Sequence, residues 1–171
     1  MNPMREIRIE KITVNIGIGE AGEKLEKAMK LLKNITGQKA IQTKSKKRIP
    51  TWSLRPGLPI ACKVTLRKKL AEETLIRLLK AVENNLKPNC FDKFGNFSFG
   101  VPEYIDIPGV EYDVEIGIIG LEVAVTLERQ GYRIKKRKIN KKKIPSKHLI
   151  SKKEAMEFVK EKFNVKLVEE E

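Results

Sequence analysis

Residues 36–67 read TGQKAIQTKSKKRIPTWSLRPGLPIACKVTLR, and the far end of this stretch decides the fold. There Ile60, Cys62, Val64 and Leu66 alternate with Ala61, Lys63, Thr65 and Arg67. A period of two puts one set on each face of a strand, so this stretch buries an apolar side and leaves a basic one open. Before it, Lys39, Lys44, Lys46, Lys47 and Arg48 crowd a polar run that leads into a proline-punctuated loop, 49–61. The loop holds the only tryptophan, Trp52, beside Arg55, Pro56, Gly57 and Pro59. Cations attract phosphates and flat side chains stack on unpaired bases, so a basic sheet face beside a Trp/Arg loop suits RNA.

Toward the N-terminus, Ile12, Val14 and Ile16 alternate with Thr13, Asn15 and Gly17, which predicts a second half-buried strand with Thr13 and Asn15 outward. Ile7 and Ile9 have the opposite parity, so a register shift is expected near Glu10 and Lys11. Leu25, Ala28, Met29, Leu32 and Ile35 then follow helical spacing up to Gly37. Toward the C-terminus, Ala71, Leu75, Leu78, Leu79, Val82 and Leu86 share a helical face that Pro88 closes. A turn at Gly95 and Asn96 precedes a strand through Phe97, Phe99 and Val101, and an extended segment with Pro102 and Pro108 comes next.

Tyr112, Val114, Ile116 and Ile118 alternate in one parity, and Leu121, Val123, Val125 and Leu127 in the other. Two strand pieces kinked at Gly117 and Gly120 are expected. Residues 129–147, RQGYRIKKRKINKKKIPSK, form a basic arm, either a hairpin or a segment partly disordered in isolation. Ser151 and Glu154 make a capping box for a short helix bearing Ala155, Phe158, Val159 and Phe163 on one side. An acidic tail, 169–171, is expected to fray. The whole pattern predicts an α+β fold over 1–171: one domain, a mainly antiparallel sheet with helices packed on one face.

Lysine and arginine number 36 against 22 acidic residues, a net charge of +14, and the excess is clustered. A polyanionic partner follows from that balance. Cys62, Cys90 and the single histidine, His148, have no metal-ligand spacing and no nucleophile–base pattern. Cys62 fits a core position and Cys90 a free thiol. Glu72 and Glu73 lie where a helix surface keeps carboxylates in water, so no enzyme chemistry is expected.

Gly17, Gly19 and Gly22 match the dinucleotide-binding pattern, yet residues 37–41, GQKAI, lack the acidic residue that would hold a ribose. Glu20 inside the turn would also repel a pyrophosphate. The glycines therefore read as a strand-to-helix turn that brings backbone close to something else. No cofactor, metal or small-molecule substrate is expected, and a dinucleotide enzyme is a remote alternative. Charges at 5–11 interrupt any secretory signal, and the apolar window 116–125 is too short to span a membrane. A cytoplasmic protein with no membrane partner is expected.

Four ordered motifs, VNIGIGEA, ITGQKAIQTKSKK, LRPGLPIACKVTLR and FDKFGNFSFGVPEYIDIPGVEYD, closely resemble the universal large-subunit ribosomal protein family five. The likeness runs from Lys11 to about Leu127. That family binds 5S rRNA in the central protuberance of the large subunit. The resemblance implies 5S rRNA contacts at Asn15, Gln38, Thr43, Lys44, Thr65 and Arg67, to which alternation adds Lys63 on the open face. It implies that loop 49–61 reaches P-site tRNA, with Arg55 at the tip and Trp52, Pro56 and Gly57 around it. Trp52 either stacks on a nucleotide or anchors the loop base. It further implies that Glu111, Tyr112 and Asp113 meet a small-subunit head protein across an intersubunit bridge. No counterpart of the N-terminal helix of bacterial members is expected, and the basic arm with its terminal helix, 129–171, is closer to archaeal and eukaryotic members. The arm is expected to touch large-subunit rRNA or another component of the protuberance. The alternative is a free RNA- or tRNA-binding factor outside the ribosome.

Overall fold

In the computed structural model, which describes residues 2–168, the first strand, β1 (Ile7–Gly17), buries Ile9 and then Ile12, Val14 and Ile16. Glu10 and Lys11 lie consecutively between them, half-buried, which is the parity change that the two apolar sets require. Helix α1 (Glu23–Thr36) carries Glu23 and Glu26 in its first turn and Lys33 in its last, each complementing the helix dipole. It ends where the Gly37 N–H donates to the Lys33 carbonyl. Its buried stripe is Leu25, Ala28, Leu31, Leu32 and Ile35, with Met29 only half-buried.

Strands β2 (Ile41–Lys44) and β3 (Pro59–Leu66) pair antiparallel, with Ile41 opposite Lys63 and Thr43 opposite Ala61. β2 lies inside the basic run, where periodicity suggests only loop. Its four residues are too few to display a pattern, and β3 supplies the ladder that makes it a strand. α1 packs on β3, whose Cys62, Val64 and Leu66 are buried. Each large aliphatic side chain so buried stabilises the fold by about 1.5–3 kcal/mol. Burial also pushes the Cys62 thiol pKa up to about 11. Cys90 is half-buried, and both cysteines are free.

Helix α2 (Lys68–Ala81) buries Ala71, Thr74, Leu75, Leu78 and Leu79, then stops well before Leu86. Glu83 and Asn84 take left-handed backbone conformations, and strand β4 (Asn85–Leu86) follows. Leu86 thus reaches the core from a strand and not from the helical face its spacing suggests. Next come β5 (Phe97–Val101) and β6 (Leu121–Arg129), then the single turn α3 (Arg133–Lys136), helix α4 (Lys152–Phe163) and β7 (Lys166–Leu167). β7 pairs in parallel with β4, a distant partner that explains why the end of α2 was not legible locally. The expected capping box opens α4: Ser151 Oγ accepts the Glu154 N–H, and Glu154 accepts the Ser151 N–H at 2.9 Å.

The strand piece expected over 112–118 is absent. Val114 is 81% exposed and Ile118 64%, because the Asp113 carbonyl takes both the Ile116 and Gly117 N–H groups in a local turn. Alternation there reflects a loop with scattered apolar residues, and β6 alone carries the later set.

The strands form a mainly antiparallel five-stranded sheet in the order β2-β3-β1-β6-β5, and a separate β4-β7 pair. The described residues divide into two units. One comprises Thr13–Leu66 and Gly100–Val123; the other comprises 2–12, Arg67–Phe99 and 124–168. Among the described residues, no helix is long and apolar enough to cross a membrane, and no group of three or more His, Cys, Asp or Glu is placed to hold a metal. The acidic tail lies outside the described residues.

Candidate RNA interface

In the Thr13–Leu66 unit, the side of the strands turned away from α1 is polar. Lys63 and Thr65 are exposed between buried Cys62, Val64 and Leu66. Residues opposite one another on an antiparallel ladder share a face, so Ile41 joins Lys63 on this side and Thr43 joins Ala61. Ile41 is 66% exposed, an apolar contact surface that charge patterning does not reveal. Thr13 and Asn15 occupy the same parity in β1, each half-buried. Lys44 stands exposed at the end of β2, where the register shifts.

Two details sharpen the chemistry. Asn15 Nδ2 donates to a Glu122 carboxylate oxygen at 3.0 Å, which orients the amide and puts one acidic group on this face. A carboxylate repels phosphate but accepts from a 2′-hydroxyl or a base amino group. The Thr43 hydroxyl is buried with no hydrogen-bond partner among the described residues. Gln38 is exposed just past α1, and only its backbone finishes the helix: its N–H donates to Thr36 Oγ1 at 3.3 Å. Arg67 belongs to the other unit. Its guanidinium lies 3.4 Å from both the carbonyl and the carboxylate of Glu10, and its side chain remains 56% exposed.

The glycine turn after β1 is committed to the chain itself. The Ile18 and Gly19 N–H groups both donate to the Ile60 carbonyl, at 3.0 and 2.9 Å, so the donors that would cradle an anion are spent on β3. Glu20 is occupied by Lys24 at 2.7 Å.

Loop 49–61 is closed by backbone. Ile49 and Leu54 exchange N–H···O bonds at 3.0 Å in both directions, Ser45 donates to Leu58 at 2.8 Å, and Gly57 donates to Ser45 at 2.9 Å. Leu54 is the buried anchor, whereas Trp52 is 69% exposed and does not hold the loop base. Arg55, Pro56 and Gly57 are all exposed. The rigid frame therefore leaves Trp52 and Arg55 free for an outside partner.

In the segment after β5, the Asp113 N–H donates to the buried Tyr104 hydroxyl at 3.0 Å. Lys30 sits 3.3 Å from both Asp113 and Glu115, whose carboxylates raise its pKa. Glu111 and Tyr112 are exposed. Of the three residues expected to meet a protein, Asp113 is thus partly engaged within the chain.

Residues 2–55 match the family described as ribosomal protein L5, and residues 59–158 match the model of that family's C-terminus. The chain is 52% identical over 170 residues to large ribosomal subunit protein uL5 of Sulfurisphaera tokodaii, covering 99% of this chain and 96% of the relative. It is 52% identical over 168 residues to the protein of the same name from Nanoarchaeum equitans, covering 98% and 99%. With that of Methanobrevibacter smithii the identity is 49% over 170 residues, covering 99% and 100%.

Proposed function

The chain belongs to the ribosomal protein L5 family, and from that premise we propose that it docks 5S rRNA on the polar side of β2 and β3. It is a protein of the large ribosomal subunit, a structural component with rRNA as partner and not an enzyme. The observation that carries the finer reading is the exposure of Lys63 and Thr65 on β3, beside a buried Ala61 on the same side.

In this reading, Lys44 and Lys63 meet phosphates, while Asn15, Gln38, Thr43 and Thr65 bond 2′-hydroxyls and base edges. The Asn15 amide, held by Glu122, is oriented for such a bond. Arg67, whose side chain is 56% exposed, is a further proposed phosphate contact. Arg55, with Trp52, Pro56 and Gly57 around it, contacts P-site tRNA. Glu111, Tyr112 and Asp113 present an acidic edge to a basic protein of the small-subunit head, with Glu111 the carboxylate least engaged within the chain.

The direct test is 5S rRNA binding by filter retention. Lys63→Ala and Thr65→Ala should each lose affinity equivalent to about 1–3 kcal/mol with the fold intact. Full affinity in both variants would move the docking surface elsewhere. Arg55→Ala should bind 5S rRNA normally and weaken retention of P-site tRNA in reconstituted subunits.

A further inference from the structure

From residue 129 to residue 153 the chain contains no acidic side chain, and residues 133–147 alone carry nine lysines and arginines. All nine are exposed, yet the segment is not a free tail. Its two ends are fastened together. Arg129, with a side chain only 6% exposed, donates to the His148 and Leu149 carbonyls at 3.4 and 3.3 Å and to Glu154 at 2.6 Å. The Tyr132 hydroxyl donates to the His148 carbonyl at 3.3 Å and accepts the Ile150 N–H at 3.2 Å. His148 Nε2 bonds the Gln130 carbonyl at 2.8 Å, and its ring meets the Tyr132 ring edge-on.

The interior is folded as well. Lys142 donates its N–H to the Ile134 carbonyl at 3.3 Å, and Arg137 Nε donates to the Asn140 carbonyl at 2.7 Å. Lys136 is tied down by Glu10 at 2.7 Å and Glu128 at 3.1 Å. The segment is therefore a closed loop whose remaining cations face solvent.

We propose that residues 131–148 form a second RNA-binding element, a preformed basic loop that grips the phosphate backbone of an RNA duplex without reading its sequence. The inference rests on the rRNA reading above only in taking RNA as the polyanion. Binding of single strands relies on aromatic platforms for unstacked bases. Here the loop's only aromatic rings, Tyr132 and His148, are consumed in closing the stem. What it offers outward is charge, and charge recognises the phosphate rows of a duplex. Closure before binding lowers the ordering entropy lost on docking.

The test titrates the full chain with a blunt RNA duplex of arbitrary sequence across a salt series. Substituting Lys141, Lys142 and Lys143 together by glutamine should lower affinity at least tenfold. The slope of log affinity against log salt should shrink by up to about 2.7, roughly 0.9 for each lost phosphate contact. Tyr132→Phe keeps every charge, so it should bind several-fold more weakly at an unchanged slope. A Lys63→Ala, Thr65→Ala double variant, which removes a single cation, should change that slope by no more than about 0.9. An unaltered slope in the triple variant would overturn the proposal, as would duplex binding that follows the sheet variant. Polyglutamate competing as well as the duplex would overturn it in favour of an acidic protein. Loss of 5S rRNA binding by the sheet variant is read separately, so failure of one assignment leaves the other standing.

Discussion

Loops 45–58 and 131–148 are both rich in cations and both exposed, but they are built in opposite ways. The first is closed by main-chain hydrogen bonds, Ser45 to Leu58, Gly57 to Ser45 and the Ile49–Leu54 exchange. The second is closed by side chains, above all buried Arg129 with Tyr132 and His148. A loop held by its backbone can change its outward side chains at little cost, which suits a tip that presents Trp52 and Arg55. A loop held by side chains depends on a few of them, and one substitution can unfasten it.

The largest effect should come from Arg129→Ala. Removing one partner of a buried charged pair costs several kcal/mol; because Glu154 is 41% exposed and can rehydrate, about 3 kcal/mol is expected here. Thermal melting should fall by roughly 6–12 °C, and a loss under about 1 kcal/mol would mean that the clamp is not what holds the loop. Next comes Gly95→Ala, at about 2–3 kcal/mol, because the residue has φ +79° and an added Cβ would lie 2.5 Å from Ile150 Cγ2, beside the return of the second loop. Gly57→Ala in the first loop shares the left-handed backbone, φ +88°, but meets open space, so about 1 kcal/mol is expected. Equal losses at the two glycines in urea melts would remove packing from the explanation.

Arg55→Ala should change stability by no more than about 0.5 kcal/mol, since the side chain is exposed and the loop does not depend on it. The smallest effect is pH-dependent. Burial opposes the charge of Glu10, but Lys136 and then Lys11 outweigh it and hold its pKa below the ordinary 4.5. Glu154 is likewise lowered, first by the Ser151 backbone N–H and then by Arg129 against burial. A carboxyl depressed in the folded state contributes stability that is complete above pH 4.5 and disappears as pH falls through its folded value. Hydrogen exchange should therefore show loop 131–148 opening in acid while the amides of loop 45–58 stay protected. Simultaneous opening of both loops would contradict the difference in construction.

Much of the architecture was legible because it is written in short periods. Alternation marked β3, β1 and its parity shift; helical spacing and Gly37 marked α1; the Ser151–Glu154 pair marked the start of α4. Where the pattern misled, the cause was a partner remote in sequence or its absence. β2 is a strand because β3 lies beside it, and Leu86 leaves α2 because Lys166–Leu167 pairs with β4. Residues 112–118 alternate but have no ladder, and a local turn at Asp113 claims their backbone.

The proposed 5S rRNA face divides in the same way. Lys63 and Thr65 were visible as the outward half of an alternating strand. Nothing in their spacing announces that Asn15 is tied to Glu122, that Arg67 leans on Glu10, or that Trp52 stands clear while Leu54 anchors its loop. Residue types at short spacing were enough for the charge, the class of fold, the family and the polar side of β3. Which cations are already paired, and that the basic arm is a fastened loop, came from the folded chain alone. Those outcomes depend on side chains far apart in sequence, and their meeting is set by how the core packs.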